Sequence, residues 1–277
     1  MAQPVSNSTK PPSDLRTRVI SAVVLAPPVL AALYLGGLYF DLLAILAAIL
    51  MAWEWCALVT GQKKGAGSIF FVSGILSSLV VFVFFDSLYG FSALLVCVGA
   101  ILVVGNSLYA KRKIWVLTGV PYVALPVMAL IWVRGIEGMG MAYLTLLLLA
   151  VWATDIGAYF SGRTIGGPKI VPQISPKKTW AGLIGGMVSS GLIAGIVGNY
   201  FQLGELLPLF LLGAILALVA QIGDFYESWV KRRFNVKDSS NLIPGHGGIL
   251  DRVDGIMSAA IFLWIAIVIG IFKEGAV

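Results

Sequence analysis

Long apolar stretches alternate with short polar breaks along almost the whole chain. Nine runs approach the length needed to cross a bilayer: 19–37, 38–60, 68–86, 88–108, 114–133, 141–161, 180–200, 206–223 and 253–273. A spanning helix needs roughly 20 predominantly apolar residues. Several runs contain Gly or Pro, which spanning helices tolerate better than soluble ones. The pattern predicts an all-α integral membrane protein, a polytopic bundle of about nine transmembrane helices. Two of the polar breaks are long, 162–179 and 224–252, and long loops tend to carry function. The first 14 residues, MAQPVSNSTKPPSD, read as a disordered cytoplasmic tail, and 15–277 as a single membrane-embedded domain. No convincing cleavage site accompanies the first apolar run, so it reads as retained rather than as a signal peptide.

Composition sharpens this picture. Of 277 residues, 59% are hydrophobic and 12% charged, where an average soluble chain carries roughly a quarter charged. All but Arg134 and Lys273 of the 19 Lys and Arg fall in the N-terminal tail and in alternate connections. By the positive-inside rule this puts the N-terminus in the cytoplasm and, with nine spans, the C-terminus outside, as expected for a multi-pass protein of the inner (plasma) membrane. The net charge of +6 is thus partly a topology signal. With no basic patch interleaved with aromatics, no nucleic-acid partner is expected. Cys56 and Cys97 lie inside apolar runs and read as small buried hydrophobes.

The 13 acidic residues are few enough to weigh singly. Asp14, Asp41, Asp86, Glu137, Glu205 and Glu274 sit in tails or near run ends and read as solvated. Glu54, in Trp53-Glu54-Trp55, reads as the internal partner of a basic group. A carboxylate at the edge of hydrocarbon is costly and normally faces a partner or a water-filled cavity. Asp155 and Asp224 are such residues. Asp251 and Asp254, three apart at the start of the ninth run, share a helix face, and Asp224 with Glu227 repeats that spacing. If the 224–252 loop returns the chain so that both pairs meet, a cation between them relieves the repulsion. Oxygen ligands and phosphate chemistry favour Mg²⁺. Helix capping is the competing account of acids in a first turn.

Ser175-Pro176-Lys177-Lys178-Thr179 precedes the seventh run. Ser175 suits an N-cap and Pro176 the first helical position. Lys177 and Lys178 would then occupy a first turn, where only a bound anion makes cations favourable. His246, the one histidine, is flanked by Gly245, Gly247 and Gly248, which permit close approach of backbone to a ligand. These residues point to phosphate plus divalent metal at a membrane surface. No GxxxxGK[ST] or GxGxxG is present, so standard soluble nucleotide folds are not indicated.

The segment Ser228–Asp254 carries S-x-x-K-R-x4-K-D, then I-P-G-H-G-G-x-x-D-R-x-D. It resembles the signature of the phosphatidate cytidylyltransferase (CDP-diacylglycerol synthase) family at each fixed position. Asp155-Ile156-Gly157-Ala158-Tyr159, with Gly162-Arg163, resembles a second family element, with Ile156 in place of threonine. Ile174-Ser175-Pro176-Lys177-Lys178-Thr179-Trp180 resembles a third, with Ala181 in place of glutamate. The resemblance is specific from about residue 152 onward and places the active-site elements mainly in 152–255. It implies a cytoplasm-facing polar cavity in the helix bundle and the synthesis of CDP-diacylglycerol and pyrophosphate from CTP and phosphatidate. It also implies a need for Mg²⁺, with K⁺ in a paired-cation site. By match, Asp224, Asp251 and Asp254 are the expected metal-binding and catalytic acids, with Lys178 catalytic beside them. Arg163, Lys177, Lys178, Lys231, Lys237 and Arg252 are expected phosphate contacts, and Asp155, Ser175, Ser228, His246, Gly247 and Gly248 further substrate contacts. The expected partners are CTP, phosphatidate and the bilayer, and a homodimer is compatible with the sequence. A cation-coupled transporter is the alternative reading, though no inverted repeat is discernible. The acid motif of CDP-alcohol phosphatidyltransferases is absent.

Overall fold

The computed structural model describes residues 15–62 and 64–272. The expected N-terminal tail, 1–14, lies outside these residues. The described chain is helical, with nine α-helices: α1 Leu15–Leu35, α2 Gly37–Thr60, α3 Ala66–Phe84, α4 Ser87–Tyr109, α5 Lys113–Arg134, α6 Gly140–Thr164, α7 Trp180–Tyr200, α8 Leu206–Arg233 and α9 Leu250–Val268. They follow the nine apolar runs, except that α8 continues through the polar residues 224–233 expected to be loop. The breaks between them have local causes. Gly61, at φ 77°, closes α2 with its N–H on the Ala57 carbonyl, a left-handed turn that glycine adopts freely. Asp86 caps α4 by accepting from the Leu88 N–H at 2.8 Å, a contact of about 1 kcal/mol.

Among the described residues, six helical segments are long and apolar enough to cross a membrane: Gly37–Thr60, Ala66–Phe84, Ser87–Arg134, Gly140–Thr164, Trp180–Tyr200 and Leu206–Arg233. Ser87–Arg134 contains both α4 and α5, joined by the 3₁₀ turn Ala110–Arg112. The count of nine spans is therefore not reached on length and hydropathy alone. α1 contributes only a shorter apolar stretch, Val23–Leu35. α9 carries Asp251, Arg252 and Asp254 in its opening turns, and these charges break its apolar character.

Two buried clusters hold the bundle. One gathers Trp55, Phe71, Ile75, Leu79, Val120 and Val123 from α2, α3 and α5. The other gathers Tyr143, Leu146, Leu147, Leu216 and Leu263 from α6, α8 and α9. α6 and α7 lie closer than bulky side chains permit: a Cβ on Gly185 would stand 2.0 Å from Ser161 Oγ. Small residues at such contacts let spanning helices pack through their backbones. Large apolar side chains, Val96, Val103 and Ile196 among them, point outward, as a bilayer requires.

Candidate active site

The polar residues of the C-terminal half converge where α8 ends and α9 begins. Gly223 makes this possible: a Cβ there would lie 2.9 Å from the Asp254 carbonyl and 2.2 Å from Ser258 Oγ, so only glycine lets the two helices approach so closely. The closeness brings the two acid pairs together. Lys231 Nζ donates to Asp251 Oδ1 at 2.6 Å and stands 3.4 Å from Glu227 Oε2. Glu227, fully buried, faces Asp254 in side-chain hydrogen-bonding contact, and no other described residue donates to its carboxylate. One turn earlier on α8, Asp224 accepts from Lys178 Nζ and from Ser228 Oγ, the latter at 3.3 Å. The site is thus two lysine–carboxylate groups side by side, one built on α8 and the segment before α7, the other on α8 and α9.

The Asp251 carboxylate is the most completely satisfied. Besides Lys231 it accepts from Ser239 N at 2.8 Å and Gly248 N at 2.9 Å, and it shares with Glu54 the single proton of Ser239 Oγ, 3.0 Å away. Burial pushes its carboxyl upward, but the Lys231 ammonium and these N–H groups outweigh that and hold it below the usual range. The segment between α8 and α9, 234–249, is folded around it; the expected 224–252 loop is shorter because α8 continues as helix to Arg233. Gly245 and Gly247, at φ 77° and 88°, make the tight turn in which Ile243 and Gly247 exchange backbone hydrogen bonds.

Glu54 anchors the same loop from α2. Among the described residues no basic residue pairs with it, unlike the sequence expectation. Its carboxylate instead accepts from Ser239 Oγ at 3.1 Å, Ser240 Oγ at 2.6 Å, Ile249 N at 3.0 Å and Leu250 N at 2.9 Å. The last two are free N–H groups at the start of α9, so Glu54 caps that helix from another part of the chain. Ser239 therefore links Glu54 to Asp251. Gly248 has no room for a side chain here, since a Cβ would meet Ser239 Oγ at 2.0 Å and Glu54 Oε2 at 2.6 Å. Glu54→Gln turns an amide donor toward N–H donors. It is expected to lower stability by about 2 kcal/mol, seen as a fall in the melting temperature of the purified protein; an unchanged melting temperature would count against this anchoring.

Other expected site residues are placed as follows. Asp155 and Arg252 line a small cavity with Asp224 and Asp254. Arg252 Nε donates to the His246 carbonyl at 2.9 Å, and His246 Nδ1 is buried without a partner among the described residues. Arg163 stacks on Tyr159 and donates to its hydroxyl at 2.6 Å, away from the carboxylates. Lys177 and Lys237 are exposed. Ser175 is not the cap of α7. That role falls to Thr179, whose hydroxyl accepts from Gly182 N at 3.1 Å. The 168–180 segment folds back on itself, with Ile170 N on the Lys178 carbonyl and Trp180 N on the Pro168 carbonyl. This return delays the helix and carries Lys178 out of the first turn onto Asp224. Ser239 was missed in the sequence. Its place beside Lys237-Asp238 in the signature was the available signal.

Glu227 and Asp254, two carboxylates facing each other away from bulk water, form a donor set suited to a hard cation. Among the described residues no three His, Cys, Asp or Glu side chains stand together as a ready-made metal cluster. Mg²⁺ does not require one. It is commonly held by one or two carboxylates, with water and substrate phosphate completing its shell.

A helical membrane bundle with adjoining lysine–carboxylate groups is the frame of a membrane enzyme that handles phosphate anions. The comparison with known proteins makes the class specific. The Cytidylyltransferase family profile matches residues 16–270, and the chain belongs to that family. A protein of Brucella suis named phosphatidate cytidylyltransferase is 38% identical over 253 residues, covering 91% of this chain and 93% of the relative. Proteins of the same name from Rickettsia felis and Rickettsia bellii are 34% identical over 198 residues and 40% over 158, covering 68% and 54% of this chain and 86% and 68% of the relatives. The chain is a cytidylyltransferase enzyme, and this membership does not favour the transporter reading.

Proposed function

We propose that the enzyme transfers the cytidylyl group of CTP to phosphatidate, giving CDP-diacylglycerol and pyrophosphate. The observation that carries this is the convergence of Asp224, Glu227, Asp251 and Asp254 with Lys178 and Lys231 at the α8–α9 junction. The name of the relatives supplies the substrates. Trp152, Ile156 and Tyr159 form an exposed apolar flank on α6, and Trp152 and Asp155 line the small cavity beside Asp224 and Asp254. That flank suits a lipid whose tails stay in the bilayer while its phosphate reaches the carboxylates and lysines. The site faces the cytoplasm of a cell whose inner membrane holds the protein, in keeping with the positive-inside pattern.

A phosphatidate oxygen attacks the α-phosphorus of CTP. A new P–O bond forms, the bond to the α–β bridging oxygen breaks on the opposite side, and pyrophosphate leaves with the electron pair. The nucleophile is already an anion, so no strong base is needed. The obstacle is repulsion between two polyanions, and fixed positive charge lowers it. Lys178 and Lys231 are the nearest fixed charges, and Arg252 adds a planar group that can grip a phosphate at two points. Each lysine is held on a carboxylate until a phosphate competes for it. Asp254 and Glu227, with Asp224 and Asp251 beside them, are the residues that would hold Mg²⁺, with K⁺ as a second cation. Bound there, Mg²⁺ supplies charge neutralisation and phosphate orientation.

Purified protein in detergent or nanodiscs should release pyrophosphate from CTP only when phosphatidate and Mg²⁺ are both present. Release without lipid, or cation flux without pyrophosphate, would refute the proposal. Lys178→Ala should raise the KM for CTP or for phosphatidate about tenfold, the loss of one charge-assisted contact. Unchanged kinetics in both substrates would remove Lys178 from the site.

A further inference from the structure

The cavity among the carboxylates is about 90 Å³, below the roughly 300–1,000 Å³ of sites that enclose small organic molecules. It has room for a phosphate but not for a nucleoside. A second cavity, about 690 Å³, lies between the C-terminal end of α2 and the segment 234–242. Its lining includes Trp53, Ala57, Lys237, Asp238 and Asn241.

The two cavities are the ends of one polar chain. Glu54 and Ser239 line the larger one. Ser239 donates to Asp251, Asp251 accepts from Lys231, Lys231 neighbours Glu227, and Glu227 faces Asp254, which lines the smaller one. A ligand in the large cavity is therefore one hydrogen-bonded residue away from the Asp251–Lys231 pair. Leu58, Phe234 and Val236 make part of the wall apolar, but an acyl chain seated there would bury the polar groups of Lys237, Asp238 and Asn241 without partners. The lining offers an ammonium, an aromatic ring, and an amide able both to donate and to accept. The small cavity, in contrast, adjoins the apolar flank of α6.

Resting on the cytidylyltransferase reading above, we propose that the 690 Å³ cavity seats the nucleoside of CTP. The base lies on the Trp53 indole and is read by the Asn241 amide, and Lys237 meets the phosphates as they run toward Asp251. Nucleotide and lipid thus approach the carboxylate–lysine chain from opposite ends, and their phosphates meet along it.

The test is steady-state kinetics of the full-length protein in nanodiscs, with CTP and phosphatidate varied separately. Asn241→Ala removes the reading amide, and Ala57→Trp fills the cavity from α2. Each should raise the KM for CTP about tenfold or more, the scale of a lost base contact. The KM for phosphatidate and the kcat at saturating CTP should stay within about twofold of wild type. A KM for CTP within about twofold of wild type in both variants would overturn the assignment, as would a rise confined to the KM for phosphatidate. Should Ala57→Trp fail to fold, Asn241→Ala, at an exposed loop position, decides alone. A wild-type protein that turns over no CTP with phosphatidate refutes the enzymatic reading itself, an outcome distinct from normal turnover with unaltered variants.

Discussion

Asp251→Asn should reduce cytidylyl transfer by about a thousandfold or more, while the protein still inserts and purifies as a folded species. The magnitude follows from losing one preorganised charge at the reacting centre. The asparagine side chain has nearly the same shape. It can still accept through its one oxygen from Ser239 and Gly248, whose N–H groups lie within 2.9 Å of the native carboxylate. It cannot hold Lys231 as an ion pair or help bind a cation. The wild-type carboxyl, held below its usual range by Lys231 and these N–H groups despite burial, stays ionised throughout the neutral range. Its contribution to stability is complete above the unfolded value of about 3.9 and is lost as pH falls through the lower folded value. The variant should lack that part of the acid sensitivity. Turnover near the wild-type rate, measured as pyrophosphate release, would contradict the role assigned to this residue.

Lys231→Met should be the most destabilising change in the site. Lys231 stands between Asp251 and Glu227, whose side chains are 6% and 0% exposed. Asp251 keeps two N–H donors and its share of the Ser239 hydroxyl when the ammonium is removed. Glu227 keeps only Asp254, itself an acid. Breaking a buried pair by removing one partner costs about 3–5 kcal/mol, so the melting temperature of the purified protein should fall sharply and activity with it. Adding Glu227→Gln removes one of the acids left crowded without the ammonium. The double variant should regain much of the lost stability yet remain inactive, because a phosphate-facing cation is still missing. A single variant as stable as wild type would show that Lys231 does not balance Glu227.

Much of this architecture was legible along the chain. The apolar runs marked most helices to within a few residues, because burial in lipid demands nearly uninterrupted hydrocarbon over a fixed length; α8 escaped this, since its polar last turns carry the helix on to Arg233. The i,i+3 acids at 224/227 and 251/254 each share a helix face, which the spacing shows; that the two faces meet depended on how the segment between them returns the chain. What escaped was set by contacts between distant segments. Glu54 lies 185 positions from Ser239 and 196 from Leu250, and nothing local to Trp53-Glu54-Trp55 shows that its partners are hydroxyls and backbone N–H groups. Ser175 and Thr179 are both plausible caps by residue type. The choice fell to Thr179 because the bridge between Lys169 and Thr179 folds the intervening segment back. The span count rested on apolar length, and α9 departs from it because its first turns serve the site rather than the bilayer.

The bond that breaks is the most direct test of the account. The purified enzyme should be incubated with Mg²⁺, phosphatidate and CTP labelled with ³²P at either the α or the γ position, and the lipid then extracted. Attack on the α-phosphorus predicts that the α label enters the lipid phase, dependent on phosphatidate, while the γ label stays in water as pyrophosphate. Label from the γ position in the lipid, or no transfer from either, would contradict it.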